Sequence, residues 1–479
     1  MLTILPHQEG GEVDVRSHKN FLIFLFALGI VFVGTLLRPH TGAGEVIAFR
    51  GSILHFLDDP AVSQNSYHYF DDGLLVIEDG MVKQLGHTKE LIGALKPEQI
   101  TDYRGRLIIP GFIDTHLHYP QMEMIASYGE QLLEWLKTYT FPTEKKYADK
   151  GYARSVAEVF LDQLLLNGTT TALVLATVHK ESVDAFFEAA KKRNLRMIAG
   201  KVLMDRNAPD YLLDTPAAGY ADSKELIKRW HNNGRLLYAV TPRFAPTSTP
   251  AQLEVVRKLL EEYPDVYLHT HLSENQGEIE WVKSLFPGAE SYLKVYETYG
   301  LVRPRSLFAH SIYLDDKDFS TLAKHGGAIA FCPSSNLFLG SGLFNLREAE
   351  KYRVAVGLAT DVGAGTSFSM LETMDEAYKV IQMHKAWSSH PAQEKPLSPL
   401  KAFYLATLGG ARALRLDDKI GNFLPGKEAD FVVLNPRATS LMKYRMAKVE
   451  TLQERLFVLQ VLGDDRAIEK TYILGHAWH

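Results

Sequence analysis

What most constrains this chain is a series of eight short apolar segments, each parted from the next by a helix-length amphipathic stretch. The segments read as strands at residues 107–118, 169–177, 196–205, 235–244, 266–274, 306–314, 328–336 and 354–363. Between them lie stretches such as SVDAFFEAAKKRN and PAQLEVVRKLLEEYP, whose apolar residues recur at helical spacing. Strands alternating with helices build βαβ units and a parallel sheet. Eight such units in about 250 residues is the count that closes a barrel. The expected fold is therefore α/β, a (β/α)8 TIM-type barrel over residues 109–419.

The chain has 479 residues, and what flanks the barrel is β-like. From Val46 the sequence reads VIAFRGSILHFL, then a loop with Asp58, Asp59 and Pro60, then GLLVIEDGMVKQLG. Glu78-Asp79-Gly80 between two apolar runs is a hairpin signal. Near the other end, GNFLPGKEADFVVLNP and AIEKTYILGHAWH again read as short strands broken by Gly and Pro. The two ends are expected to meet in a small β-sandwich domain, residues 46–108 with 420–479.

Residues 1–45 fit neither unit. Phe21 to Leu37 is an uncharged apolar run of 17 residues flanked by Lys19 and Arg38, at the lower edge of what spans a bilayer. The segment reads as extraneous to the working protein or as a signal or membrane anchor, with a buried helix as the third alternative. The remainder is composed as a soluble globular protein, 46% hydrophobic and 23% charged. A net charge of −5 gives no electrostatic case for nucleic acid. Cys332 is the single cysteine, so no intramolecular disulfide forms, and a thiolate-built zinc site is excluded. A reducing, cytoplasmic setting fits. Any soft-metal ligands must come from the 18 histidines.

Barrel chemistry sits at the C-terminal strand ends, and polar residues concentrate there. The first barrel strand ends Asp114-Thr115-His116-Leu117-His118. Histidines at i and i+2 on a strand face the same way, so both can aim at one ion. The fifth strand ends His269-Thr270-His271, with Glu274 three residues on; the sixth ends at His310 and the eighth at Asp361. Imidazoles and a carboxylate suit zinc or ferrous iron. An isolated HxH pair is weak; convergence from separate strands is the signal. By the same weighing His269 is a hydrogen-bonded core residue and His325 a surface one.

A divalent ion lowers the pKa of water towards neutrality. Glu274, beyond His271 in the following turn, is placed as the proton shuttle to the leaving nitrogen. Asp361 would touch the metal and orient the attacking oxygen, with His310 stabilising the reaction from the other side. Barrels with two metals bridge them by a modified lysine ending the fourth strand. Here that strand ends Thr241-Pro242-Arg243-Phe244, so one metal per chain is expected.

The segments PGFIDTHLH (110–118), HLSE (271–274) and Thr360-Asp361 resemble the amidohydrolase superfamily and its single-metal aminohydrolases. Within these the chain is similar to the guanine deaminase family. The matching stretches are His118 to Gln121, YGEQLLEWLKTYTFPTE (128–144), MDRNAPDYL (204–212), TPRFAPT (241–247), CPSSNLFLGSGLFNL (332–346) and TDVGAGTSFSML (360–371), and the likeness runs from about Val46 to the C-terminus. The resemblance implies that His116, His118, His271 and Asp361 hold zinc, that Glu274 and His310 are the acid/base pair, and that Gln121, Arg243 and Phe244 bind substrate. It also implies hydrolysis of guanine to xanthine and ammonia by a homodimer. A guanidinium fork suits a purine carbonyl, an amide both donates and accepts, and Phe244 could stack on a flat ring or simply fill core. The alternatives are a sister aminohydrolase acting on cytosine, adenosine-type nucleosides or a triazine, and a metal-free barrel scaffold. The scaffold reading predicts a lost ligand or shuttle, and none is lost.

Overall fold

The computed structural model describes residues 45–129, 131–388 and 395–478. The extraneous or anchor-like reading of the N-terminal segment, apolar run 21–37 included, falls outside them. Among the described residues no helix is long and apolar enough to cross a membrane.

Four strands open the described chain: β1 (Val46–Phe56), β2 (Tyr67–Glu78), β3 (Met81–His87) and β4 (Ile100–Pro110). The expected hairpin joins β2 to β3, with Asp79 and Gly80 at φ 50° and 80°. Two successive left-handed residues make the type I′ turn that matches strand twist, which is why Asp-Gly occupies it. Next come β5 (Phe112–His118), β6 (Thr169–Leu175), β7 (Arg196–Gly200), the short β8 (Val202–Leu203) and β9 (Leu237–Pro242). After them follow β10 (Tyr267–Leu272), β11 (Ser306–His310), β12 (Ala328–Phe331) and β13 (Ala355–Leu358). The chain closes with β14 (Phe431–Leu434), β15 (Ile468–Ile473) and β16 (His476–Trp478).

Strands β5, β6, β7, β9, β10, β11, β12 and β13 are the eight parallel strands of the barrel, and β8 pairs beside β9. Helices such as Lys180–Lys192 and Pro250–Glu262 separate them, as the helical spacing predicts. The seam from β13 to β5 is closed by Thr115 Oγ1 donating to Leu358 O (2.9 Å), Asp361 N to His116 O (3.0 Å) and His118 N to Val362 O (2.7 Å). Lower in the barrel, Ile113, Leu173, Ile198, Leu237 and Leu307 pack with Leu414, Leu416 and Ile420 from the segment after the last barrel helix. Towards the strand ends the filling shrinks to Ala309, Ala330, Cys332 and Ala359. That change from large to small side chains leaves room for polar groups.

Both chain ends build one seven-stranded sheet in the order β16-β15-β14-β4-β1-β2-β3. Register shifts in β1 at Gly51 let the sheet curl. Phe49 on β1 thereby meets Phe431 on β14 and Tyr472 on β15 at ring-centroid distances of 4.8 and 4.7 Å, although intervening strands separate them in the sheet. The folded-over sheet encloses its own apolar core, with Ile53, Leu75, Ile77 and Ile108 inside.

Several strand boundaries differ from the sequence reading: 196–205 parts into β7 and β8, 354–363 is strand only over Ala355–Leu358, and two more differences have a clear local cause. Residues 107–118 form two strands, since the chain leaves the end sheet at Pro110 and enters the barrel at Phe112. Gly111 makes the crossing because a Cβ there would meet Thr170 Oγ1 at 2.1 Å. The stretch 328–336 is strand only to Phe331; Pro333, whose fixed φ suits a first helical turn, starts the helix Pro333–Phe338.

Candidate active site

The six strand-end groups picked out by sequence converge in one place. His116 and His118 leave β5, where the pairing with β6 shifts register between Asp114 and Leu117. Such a bulge re-aims side chains. His118 Nε2 lies 3.3 Å from His271 Nε2, and Asp361 Oδ1 lies 3.1 Å from His116 Nε2 and 3.4 Å from His118 Nε2. His310 Nε2 stands 3.4 Å from Glu274 Oε2 and 3.8 Å from Asp361 Oδ2. All six residues are buried. His310 and Asp361 hold left-handed backbones, φ 66° and 51°. Non-glycine residues adopt that conformation at a cost, and such positions cluster at functional sites.

The surroundings fix each ring. His271 Nδ1 donates to Arg243 O at 2.7 Å, leaving Nε2 to face the centre. His116 Nδ1 is 2.6 Å from Nε2 of His269, so the core histidine of the sequence reading orients its neighbour. His310 Nδ1 donates to Asn336 Oδ1 at 2.9 Å. Asp114 sits under the cluster, accepting from His116 N (3.2 Å) and Thr360 N (3.1 Å). Burial raises its carboxyl to about 7 against those hydrogen bonds. His325 is far from the cluster, partly exposed, with its Nε2 3.8 Å from Glu297.

The electrostatics favour neutral imidazoles beside an anion. Burial lowers His116, His118, His269 and His271 below the ordinary range, His118 to about 3, although Asp361 pulls the first two upward. Burial alone would raise Asp361, but His116, His118 and His310 hold it well below the usual carboxylate range. Glu274 goes the opposite way: burial, then the nearby carboxyls of Glu278 and Asp361, push it well above. Two carboxyl groups in one pocket are thus driven apart, which is how acid and base assignments arise.

The donor set fits a metal ion. Nitrogens of His116, His118 and His271 lie within 4.8 Å of one another, and so do ligand atoms of His116, His310, Cys332 and Asp361. His116 Nε2 and His310 Nε2 are buried without a hydrogen-bond partner. Buried polar atoms are rarely left so; a cation at the centre would satisfy His116 Nε2, and a water or substrate beside it would satisfy His310 Nε2. Cys332 keeps its proton: burial raises its thiol well above the ordinary value, and Sγ points to Ala330 O at 3.4 Å.

A cavity opens beside this cluster, bounded by His118, His271, Glu274, His310 and Asp361 on one side. Gln121, Arg243 and Phe244 also line it, beside Leu132, Trp135, Leu136 and Ala364, so all three expected substrate contacts face the cavity. Phe244 is buried, its ring centroid 6.5 Å from that of His271. Sequence reasoning passed over Glu144, fully buried, with both carboxylate oxygens on Arg243 Nη1 at 2.9 and 3.1 Å. It also passed over Asn336 and Trp135. All three sit in stretches that carried the family likeness, 128–144 and 332–346, but no periodicity marks them.

An eight-stranded barrel with this strand-end cluster is the architecture of hydrolases that use a metal. The "Amidohydrolase family" model matches residues 107–477, and the chain belongs to that family. It is 54% identical to the guanine deaminase of Escherichia coli (strain K12) over 91% of this chain and 98% of that protein. The solved structure of E. coli guanine deaminase superposes with a TM-score of 0.86, covering 90% of this chain and 99% of that one. The C. acetobutylicum guanine deaminase, solved with guanine bound in its active site, is 29% identical with a TM-score of 0.82, covering 91% and 100%.

Proposed function

We propose that this protein is a guanine deaminase, converting guanine and water to xanthine and ammonia. The observation that carries the reading is a single cavity with two unlike walls. One wall is a metal-type donor set with a proton-holding carboxyl, and the other is a guanidinium and an amide suited to a purine edge.

His116, His118, His271 and Asp361 would hold one metal ion, zinc or ferrous iron by donor chemistry. When bound, the ion supplies Lewis acidity that brings the pKa of water towards neutrality. Glu274 takes a proton from the attacking water and passes it to the leaving amino nitrogen, a general acid–base role. The burial and neighbouring carboxyls that raise its pKa favour keeping the proton between those transfers. With Nδ1 committed to Asn336, His310 offers Nε2 to the same water beside Glu274 and Asp361. Arg243 and Gln121 orient the ring, and Phe244 with Leu132, Trp135 and Leu136 excludes solvent from its faces.

A spectrophotometric screen of guanine, cytosine, adenine and their nucleosides tests the reading, with metal quantified in the same sample. Turnover of guanine to xanthine is expected, with about one metal per chain by the chemistry of a single four-ligand set. A metal-loaded protein that leaves guanine unchanged overturns it, and two metals per chain would sink the single-metal assignment. The family likeness also implies a homodimer, which light scattering of the purified protein checks, and the single Cys332 fits a reducing, cytoplasmic setting.

A further inference from the structure

Glu144 is a fully buried carboxylate that the mechanism above does not use. It ends the short helix Phe141–Glu144, which continues from a π-helical turn over Leu136–Thr140. Both its oxygens are engaged by protein: Arg243 Nη1 donates to the pair, and Gln121 Nε2 donates to Oε1 at 3.4 Å. Gln121 follows β5 and Arg243 follows β9, so Glu144 ties together two side chains from separate strand ends.

The consequence is an amide with one allowed orientation. A carboxylate only accepts hydrogen bonds, so Gln121 must turn its NH2 to Glu144 and its Oε1 away. Among the described residues Oε1 has no hydrogen-bond donor, and Gln121 lines the cavity. Arg243 spends Nη1 on Glu144 and has no hydrogen bond from Nε or Nη2 among the described residues, while it too lines the cavity. The wall therefore offers one acceptor beside fixed donors. Its complement is a ligand edge with an N–H next to a C=O.

We propose that Glu144 is the positioning residue for substrate selection: by fixing Gln121 and Arg243 it makes the pocket take purines with a lactam N–H/C=O edge and refuse those with the reversed edge. This rests on the deaminase reading and deepens it. In a 6-oxo purine the carbonyl meets Arg243 and the ring N–H meets Gln121 Oε1. In a 6-amino purine an NH2 faces the guanidinium and a bare ring nitrogen faces the amide oxygen, so both pairs are lost. Sites built on buried hydrogen bonds reject such mismatches by about 10⁴–10⁵-fold, because their own polar groups are left unpaired.

The test compares kcat/KM for guanine and 2,6-diaminopurine, which share the ring and the 2-amino leaving group but present opposite edges. The metal-loaded wild-type enzyme is expected to favour guanine by about 10³-fold or more. Glu144→Gln frees the amide of Gln121 to turn either way. It should cut guanine turnover far more than diaminopurine turnover, lowering the ratio by about tenfold or more, the worth of one hydrogen bond to a charged group. Glu144→Asp keeps the charge on Arg243 and should lie between. If Glu144→Gln does not fold, the ratio in Glu144→Asp decides, since it too should fall below wild type. Wild-type ratios within tenfold of one, or a ratio unchanged in the folded variants, overturn the proposal. Absence of guanine turnover in the wild type is a different result: it fells the deaminase reading and this proposal with it.

Discussion

Glu274 and Asp361 show how much a side chain's chemistry depends on what surrounds it. Both are buried carboxyls at barrel strand ends, and both lie within 4 Å of His310 Nε2. Burial favours the protonated form of both; three imidazoles hold Asp361 well below the usual range against it, whereas the carboxyls of Glu278 and Asp361 push Glu274 further upward. Replacing Glu274 with Gln keeps the shape and removes the exchangeable proton. Metal content and guanine affinity should persist while kcat falls by about 10²–10⁴-fold, the range for loss of a general acid–base group. Isothermal titration with guanine, elemental analysis and steady-state rates read the three quantities. Undiminished turnover would show that the proton travels through another group. At this scale the sequence was legible wherever barrel geometry supplies the third dimension. HxH pairs and single residues at strand ends must face one centre, and they do. Glu144 was not legible in that way. Its partner Arg243 lies 99 residues away, and a π-turn shifts its helix off any regular repeat.

At the scale of elements, the period-2 and helical patterns located the strands well, and the failures occurred where side-chain contacts set the boundary. Gly111 splits one apolar run because Thr170 crowds it, a clash no local pattern encodes. β1 carries another consequence of packing. His55 near its end is buried, with Nδ1 accepting from Phe423 N at 3.1 Å and the ring 5.4 Å from that of His68. Burial, then the positive charges of His68 and Lys427, lowers it from 6.5 to about 3. The folded protein thus keeps this imidazole neutral, while the unfolded chain binds a proton below about 6.5. Stability from this site is complete above the unfolded value and is lost as pH falls from 6.5 towards 3, by at most about 1.4 kcal/mol per pH unit. His55→Gln retains an acceptor for Phe423 N and removes the titration. Urea unfolding at pH 7 and pH 4.5 should show a smaller acid loss in the variant than in the wild type. Equal losses would mean that His55 does not titrate differently on folding.

At the scale of the whole molecule, the residues that build the barrel, the end sheet and the cavity fall within 45–478. The E. coli relative aligns over 98% of its own length while covering 91% of this chain. Deleting residues 1–44 is therefore expected to leave kcat/KM for guanine within about twofold, a change of about 0.4 kcal/mol in the barrier. A larger fall in the deletion variant would give that segment a part in the enzyme.

The end sheet must also be held to the barrel, and a largely buried ion cluster does this. Arg196 at the start of β7 and Arg235 just before β9 both bond Glu428, and Arg235 also bonds Asp430, the residue preceding β14. Asp430 Oδ1 in turn accepts from Leu474 N at 2.9 Å, at the end of β15. These charges come from the N-terminal ends of barrel strands and from the sheet's C-terminal strands, segments some 200 residues apart in the chain. Removing one member of such a buried network strands its partners, at a cost of about 3–5 kcal/mol. Glu428→Gln leaves Arg196 without its carboxylate and Arg235 with Asp430 alone. Thermal unfolding should move to lower temperature, while kcat/KM of the folded variant stays near wild type because the cluster lies at the opposite strand ends from the cavity. If Glu428→Gln instead lost activity with its melting temperature unchanged, the cluster would be coupled to the site rather than to the union of sheet and barrel. A stability loss alone fits a clamp that holds the sheet on the barrel.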